Sequence, residues 1–104
     1  MARLDHNALT ESISNAVGAT PDPSGEADLV FDKGSIKGSI IVASETAALK
    51  GAFKRAKKIN GYRWVAINRD DLFGANPLSL GSKAGILDAN GKVLKNADTP
   101  RRKV

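Results

Sequence analysis

The sequence predicts a single α/β domain: one mixed β-sheet with helices packed on it, in the order α-β-β-α-β, followed by a C-terminal β-hairpin. Three observations predict it. Apolar residues recur at helical spacing over Leu9, Ile13, Ala16 and Val17, and again over Leu49, Ala52, Phe53, Ala56 and Ile59. The runs LVF, IKGSIIVA and YRWVAIN are rich in β-branched and aromatic residues and read as strands. AGILDANGKVLKN sets Asn90-Gly91 between two apolar runs, and these are residues that tolerate the positive φ of a tight hairpin turn. A chain of 104 residues has room for one core. Residues 1–96 are therefore expected to form that domain, with 97–104 a frayed basic tail.

Taken in order, Asp5 is placed to cap the first helix, with Leu4 and Leu9 as a hydrophobic staple and Gly18 as its stop. ATPDPSGE, residues 19–26, holds two prolines and a glycine and reads as a loop. Leu29 to Phe31 make a short strand, DKGS a turn, and residues 36–43 a second strand with Ile36, Ile40 and Val42 on one face. Ile41 is apolar on the other face, so this strand is expected at the centre of the sheet, covered on both sides. Ser44 or Thr46 caps the second helix, whose apolar stripe must face the sheet, and Asn60-Gly61 ends it. The next strand puts Tyr62, Trp64 and Ala66 on one face. RDDLFGANPLSLGSK, residues 69–83, reads as an irregular connection.

Composition narrows the chemistry. Apolar and charged fractions of 41% and 26% are those of an ordinary globular protein. No stretch approaches the ~20 apolar residues that span a bilayer, and MARLDHNALTES lacks the apolar core of a secretory signal. The expected compartment is the cytoplasm, with no membrane partner. With no cysteine there is no disulfide framework, thiolate zinc site or thiol nucleophile. The one histidine, His6, is too few for a His-based metal cluster, and Ser35, Ser39, Ser44 and Ser82 have no nearby histidine as base. GSIKGS and GSKAG lack the spacing of a phosphate-cradling loop.

Charge is unevenly placed. Residues 1–32 set Arg3 against Asp5, Glu11, Asp22, Glu26, Asp28 and Asp32, a net of −5. Residues 33–104 set fifteen Lys and Arg against five acids, a net of +10. Such asymmetry suggests a basic surface that meets a polyanion, DNA or RNA. Lys50, Lys54, Lys57 and Lys58 fall on the stripe opposite the apolar residues of the second helix, with Arg55 beside them and Arg63 and Arg69 extending the patch. A solvated helix face explains lysines equally well, but this one has no interleaved glutamate for i,i+4 pairing. Of the five aromatic residues, Phe53 and Trp64 are needed in the core, and Tyr62 is the candidate for exposure. Stacking of unpaired bases is accordingly not expected. Glu26, Asp28 and Asp32 cluster around the first strand, where carboxylates serve turns and can also hold Mg²⁺ or Mn²⁺.

The succession of a helix, GEADLVF, a turn, IIVASET, a lysine-bearing helix and YRWVAIN resembles the core of the PD-(D/E)XK nuclease superfamily over about residues 4–68. The resemblance implies a metal-binding aspartate at the start of the first strand, where Asp28 stands, and an acid, a spacer and a lysine on the next. Those last places fall on Val42 and Ser44, so the strand reads V-A-S. A rearranged site would take Asp28 and Glu45 as ligands of Mg²⁺ or Mn²⁺ and Lys50 to orient the attacking water. The leading expectation is a basic nucleic-acid-binding domain on a nuclease-like core that binds rather than cleaves, with Lys50, Lys54, Lys57, Lys58 and Arg63 holding phosphates. The alternative is a small protein-interaction module, a phage-type inhibitor or accessory subunit. It would meet an acidic protein surface, or pair as a homodimer through the 84–96 hairpin.

Overall fold

The computed structural model describes residues 4–34, 36–59 and 61–97. The first helix, α1 (His6–Val17), begins where the Asp5 carboxylate accepts the Ala8 amide at 2.8 Å. It ends at Gly18, whose φ of 69° lets its amide turn back to the Ser14 carbonyl. The strands β1 (Thr20–Pro21), β2 (Leu29–Asp32) and β3 (Lys37–Ala43) follow, then α2 (Thr46–Lys57) and β4 (Arg63–Ile67). A 3₁₀ turn (Arg69–Asp71) leads into α3 (Leu72–Ser82), and β5 (Gly85–Leu87) with β6 (Val93–Lys95) closes the chain.

The six strands lie side by side in chain order. The pairs β1–β2, β2–β3 and β5–β6 are antiparallel, while β3, β4 and β5 run parallel. Each parallel step needs a crossover, and α2 and α3 are those crossovers. Both therefore pack on the same face of the sheet, leaving the other to α1. Period-two alternation divides the core accordingly. Ile41, Ala43, Val65, Ile67 and Ile86 meet Leu49, Ala52, Phe53 and Ala56 of α2 and Ala75 of α3. Leu29, Phe31, Ile40, Val42, Trp64 and Ala66 meet Leu9, Ile13 and Val17 of α1. The expected central strand is β3, buried on both faces as its sequence required.

Two devices hold the centre of the sheet in register. The Trp64 indole donates to the Lys37 carbonyl at 3.0 Å and takes the Phe31 ring edge-on, with centroids 6.3 Å apart. Buried Asn68, just past β4, accepts from the Leu4 amide and donates to the carbonyls of Leu4 and Ser44, so one amide side chain ties three segments.

Three local expectations are corrected. The connection at 69–83 is ordered, as the 3₁₀ turn and α3. Pro77 sits inside that helix on its exposed face, where the carbonyl that loses its partner can be hydrated. Thr20 and Pro21, inside the expected loop, pair with Val30 and Leu29 at the sheet edge, where a proline's missing amide costs least. Neither Ser44 nor Thr46 caps α2. Glu45 holds that place without a side-chain bond, and the Thr46 hydroxyl instead donates to buried Asp71 at 2.8 Å. Ser35 of the expected turn, Asn60 of the expected stop and residues 98–104 of the expected tail lie outside the described residues. Ala97, where that tail was to begin, packs against the α1-side core.

Candidate nucleic-acid interface

The basic surface is built by α2. Its apolar stripe faces the sheet, which forces Lys50, Lys54, Lys57 and Lys58 outward, and all four are exposed. None forms an ion pair with a described acid. The structure divides them. Lys50, Lys54 and Lys57 line a groove of about 420 Å³ whose far side is Leu78, Gly81 and Ser82 of α3. Lys58 lies on the opposite flank with Arg55, facing Gly25 and Glu26.

The helices α2 and α3 run parallel and in contact. At their starts Thr46 is bonded to Asp71, and a Cβ added to Gly74 would stand 3.7 Å from Leu49 Cδ1. At their ends Arg63 joins them. Its guanidinium donates to the carbonyls of Ile59 at 2.8 Å, Gly61 at 3.4 Å and Ser82 at 3.1 Å. Arg63, expected to hold phosphate, thus has three of its five N–H donors occupied by backbone.

The outer face of α3 carries what sequence reasoning missed. Phe73 is 93% exposed and Leu80 70%, with exposed Pro77 between them at i+4. The i, i+4, i+7 spacing of Phe73, Pro77 and Leu80 is the available signal, masked by the glycines and proline that make the segment read as irregular. Tyr62, the aromatic expected outside, is half-buried against a cavity shared with Trp64.

The described acidic residues do not assemble a cation site. Asp28 Oδ2 accepts the Val42 amide at 2.8 Å and Oδ1 the Arg55 guanidinium at 3.1 Å, while Arg55 also reaches the Gly25 carbonyl. The register that pairs Leu29 with Ile40 sets Asp28 beside Ile41, so its neighbours on the α2 face are Ser39, Ile41 and Ala43, none of them acidic. Val42, expected at the acid's place, turns instead toward α1. Glu45 is four residues beyond Ile41, up to about 13 Å of extended chain. Among the described residues no three His, Asp or Glu side chains gather to hold a metal. A carboxylate already bonded to an amide and a guanidinium does not fit Mg²⁺ or Mn²⁺, and no cleavage step follows from it. Asp22 is also engaged: its carboxylate accepts the Ser24 amide, the Ser24 hydroxyl and the Ala27 amide, at 2.9, 2.8 and 3.0 Å. These bonds, the Ser24 amide foremost, hold its pKa below 3.8.

No described helix is long and apolar enough to cross a membrane. No protein-family model, curated protein or solved structure matches the chain.

Proposed function

We propose that this domain binds nucleic acid through the lysine row of α2, and that it holds rather than cuts the strand. The carrying observation is an uncompensated row of like charges. Lys50 and Lys54, and Lys54 and Lys57 or Lys58, are neighbours on the helix surface, and each such pair costs about 0.2–0.5 kcal/mol. No described acid forms an ion pair with them. Lys54, Arg55 and Lys57 gain something from the helix C-terminus, but Lys50 in the second turn does not. A phosphate backbone would offset the repulsion, and the row spans about 10 Å of helix axis. The element order supports a nuclease-like core without its catalytic set, since Asp28 is engaged by Arg55 and its β3 neighbours carry no acid.

The test is a gel shift with labelled DNA and RNA in EDTA and in Mn²⁺. Retarded, intact bands that vanish in the Lys50→Glu/Lys54→Glu/Lys57→Glu variant are expected, with circular dichroism unchanged because all three side chains are solvent-facing. Unchanged retardation by that variant would sink the proposal, and cleavage dependent on Mn²⁺ and Asp28 would revive the nuclease.

A second reading, a protein-interaction module, is favoured by the exposed Phe73 and Leu80, since an apolar row is a common docking surface. The β6 edge would add self-pairing. Light scattering at increasing concentration tests that form: a dimer mass supports it, and a constant monomer mass removes it.

A further inference from the structure

We infer that the strand held on the lysine row is single-stranded, lying along the α2–α3 groove with its phosphates on α2 and its bases against Phe73 and Leu80 of α3. This rests on the reading of α2 as a phosphate-binding helix and names the form of nucleic acid it takes. Because α2 and α3 run parallel, Lys50 to Lys57 and Phe73 to Leu80 are two rows of equal length, each seven residue steps and about 10 Å long. They overlap along most of their length. Leu49 and Gly74 mark the contact between the helices, and Lys50 and Phe73 lie one residue to either side of it, a stagger of about 3 Å. The groove is lined on the α3 side by Leu78, Gly81 and Ser82, and Phe73 and Leu80 stand beyond it on the exposed face of α3.

A charged row beside a parallel apolar row suits a chain whose charge and π-faces lie on opposite sides. An unpaired strand has that form. In a duplex the base faces are stacked inside, and presenting one to Phe73 would require unstacking. Phe73 contributes nothing to the core at 93% exposure, so its ring face is free to stack. Stacking is sequence-tolerant, and removing an aromatic platform typically weakens binding about five- to 150-fold. The polar alternative for this groove, a phosphate clamp without stacking, would leave Phe73 and Leu80 unused.

The experiment measures fluorescence anisotropy of a labelled 20-nucleotide DNA, alone and annealed to its complement, at one salt concentration. The single strand is expected to bind more tightly than the duplex. Phe73→Ala should lose five- to 150-fold on the single strand and little on the duplex. Phe73→Leu, which keeps the apolar surface but not the ring, should behave as Phe73→Ala. Phe73→Trp should retain affinity, and its added emission should be quenched on binding. Single-strand binding undiminished in Phe73→Ala, or fully kept in Phe73→Leu, overturns the stacking inference while leaving the lysine reading in place. Absence of binding to either form by the unmodified protein overturns both.

Discussion

The guanidinium of Arg63 donates to carbonyls that follow α2 and end α3, groups that lack intrahelical partners by position. Its charge also sits where two helix dipoles are negative. Arg63→Ala should therefore cost about 1–3 kcal/mol, read as a lower urea midpoint with unchanged slope. The salt dependence of nucleic-acid binding should stay as it was, whereas a phosphate-binding Arg63 would lower it. Lysine at 63 should recover less than half of the loss, because one ammonium cannot span three carbonyls in a fixed plane. Asp22 shows the other kind of engaged charge. Bonds from Ser24 and Ala27 favour its ionised form, so its folded pKa lies below its ordinary value. A depressed carboxylate stabilises the fold above the unfolded pKa, and that contribution is lost as pH falls through the lower, folded one. A carboxyl titration followed by NMR should place the Asp22 midpoint below 3.8, and a midpoint at or above that value would contradict the loop geometry.

Among the elements, β3 and α2 hold glycines of opposite meaning. Gly38 has φ of 129°, and a Cβ there would overlap the Tyr62 carbonyl where β3 approaches β4. Gly38→Ala combines backbone strain with overpacking and should cost about 3 kcal/mol or more in chemical denaturation. Gly51 lies on the open side of α2 with nothing near its missing Cβ, so Gly51→Ala should stabilise by about 0.5–1 kcal/mol. Finding the two effects equal would mean the strand approach is misdescribed. Elements were legible where large apolar residues set the period. The stripes of α1 and α2 and both faces of β3 follow from such residues, and the β5–β6 hairpin from its turn residues, of which Gly91 takes the positive φ, 77°. Helix α3 was not legible, because it buries Ala75, Ser79 and Ser82, whose small or polar side chains give no apolar period. Ser79 satisfies its hydroxyl on the Ala84 carbonyl, a bond that only the folded turn supplies. With Gly74, Pro77 and Gly81 breaking the pattern, its outward Phe73 and Leu80 were hidden too. The candidate site was thus half readable: the lysines by periodicity, the apolar row only once α3 had a direction.

At the scale of the whole molecule, the α2–α3 groove is lined by lysines and by no acid, whereas the acids of residues 1–32 lie elsewhere. Asp5 and Glu11 belong to α1 and its cap, Asp32 ends β2, and Glu26 and Asp28 sit on the far flank of α2 with Lys58 and Arg55. A polyanion approaching with its own field should be turned toward α2 before any contact forms. The number of phosphates it then meets is measurable. With three lysines engaged, log affinity for a single strand should fall against log salt with a slope of about −2, some twentyfold between 50 and 200 mM. Each single Lys→Ala change at 50, 54 or 57 should reduce that slope by about 0.7. Lys92 offers a matched control: it is exposed in the hairpin turn, next to Gly91, whose added Cβ would meet Val17 of α1. Its replacement removes the same charge from the molecule but not from the groove. Should Lys92→Ala lower the slope as much as Lys54→Ala, binding would follow net charge alone. A slope sensitive to 50, 54 and 57 but not to 92 would instead locate the strand on α2.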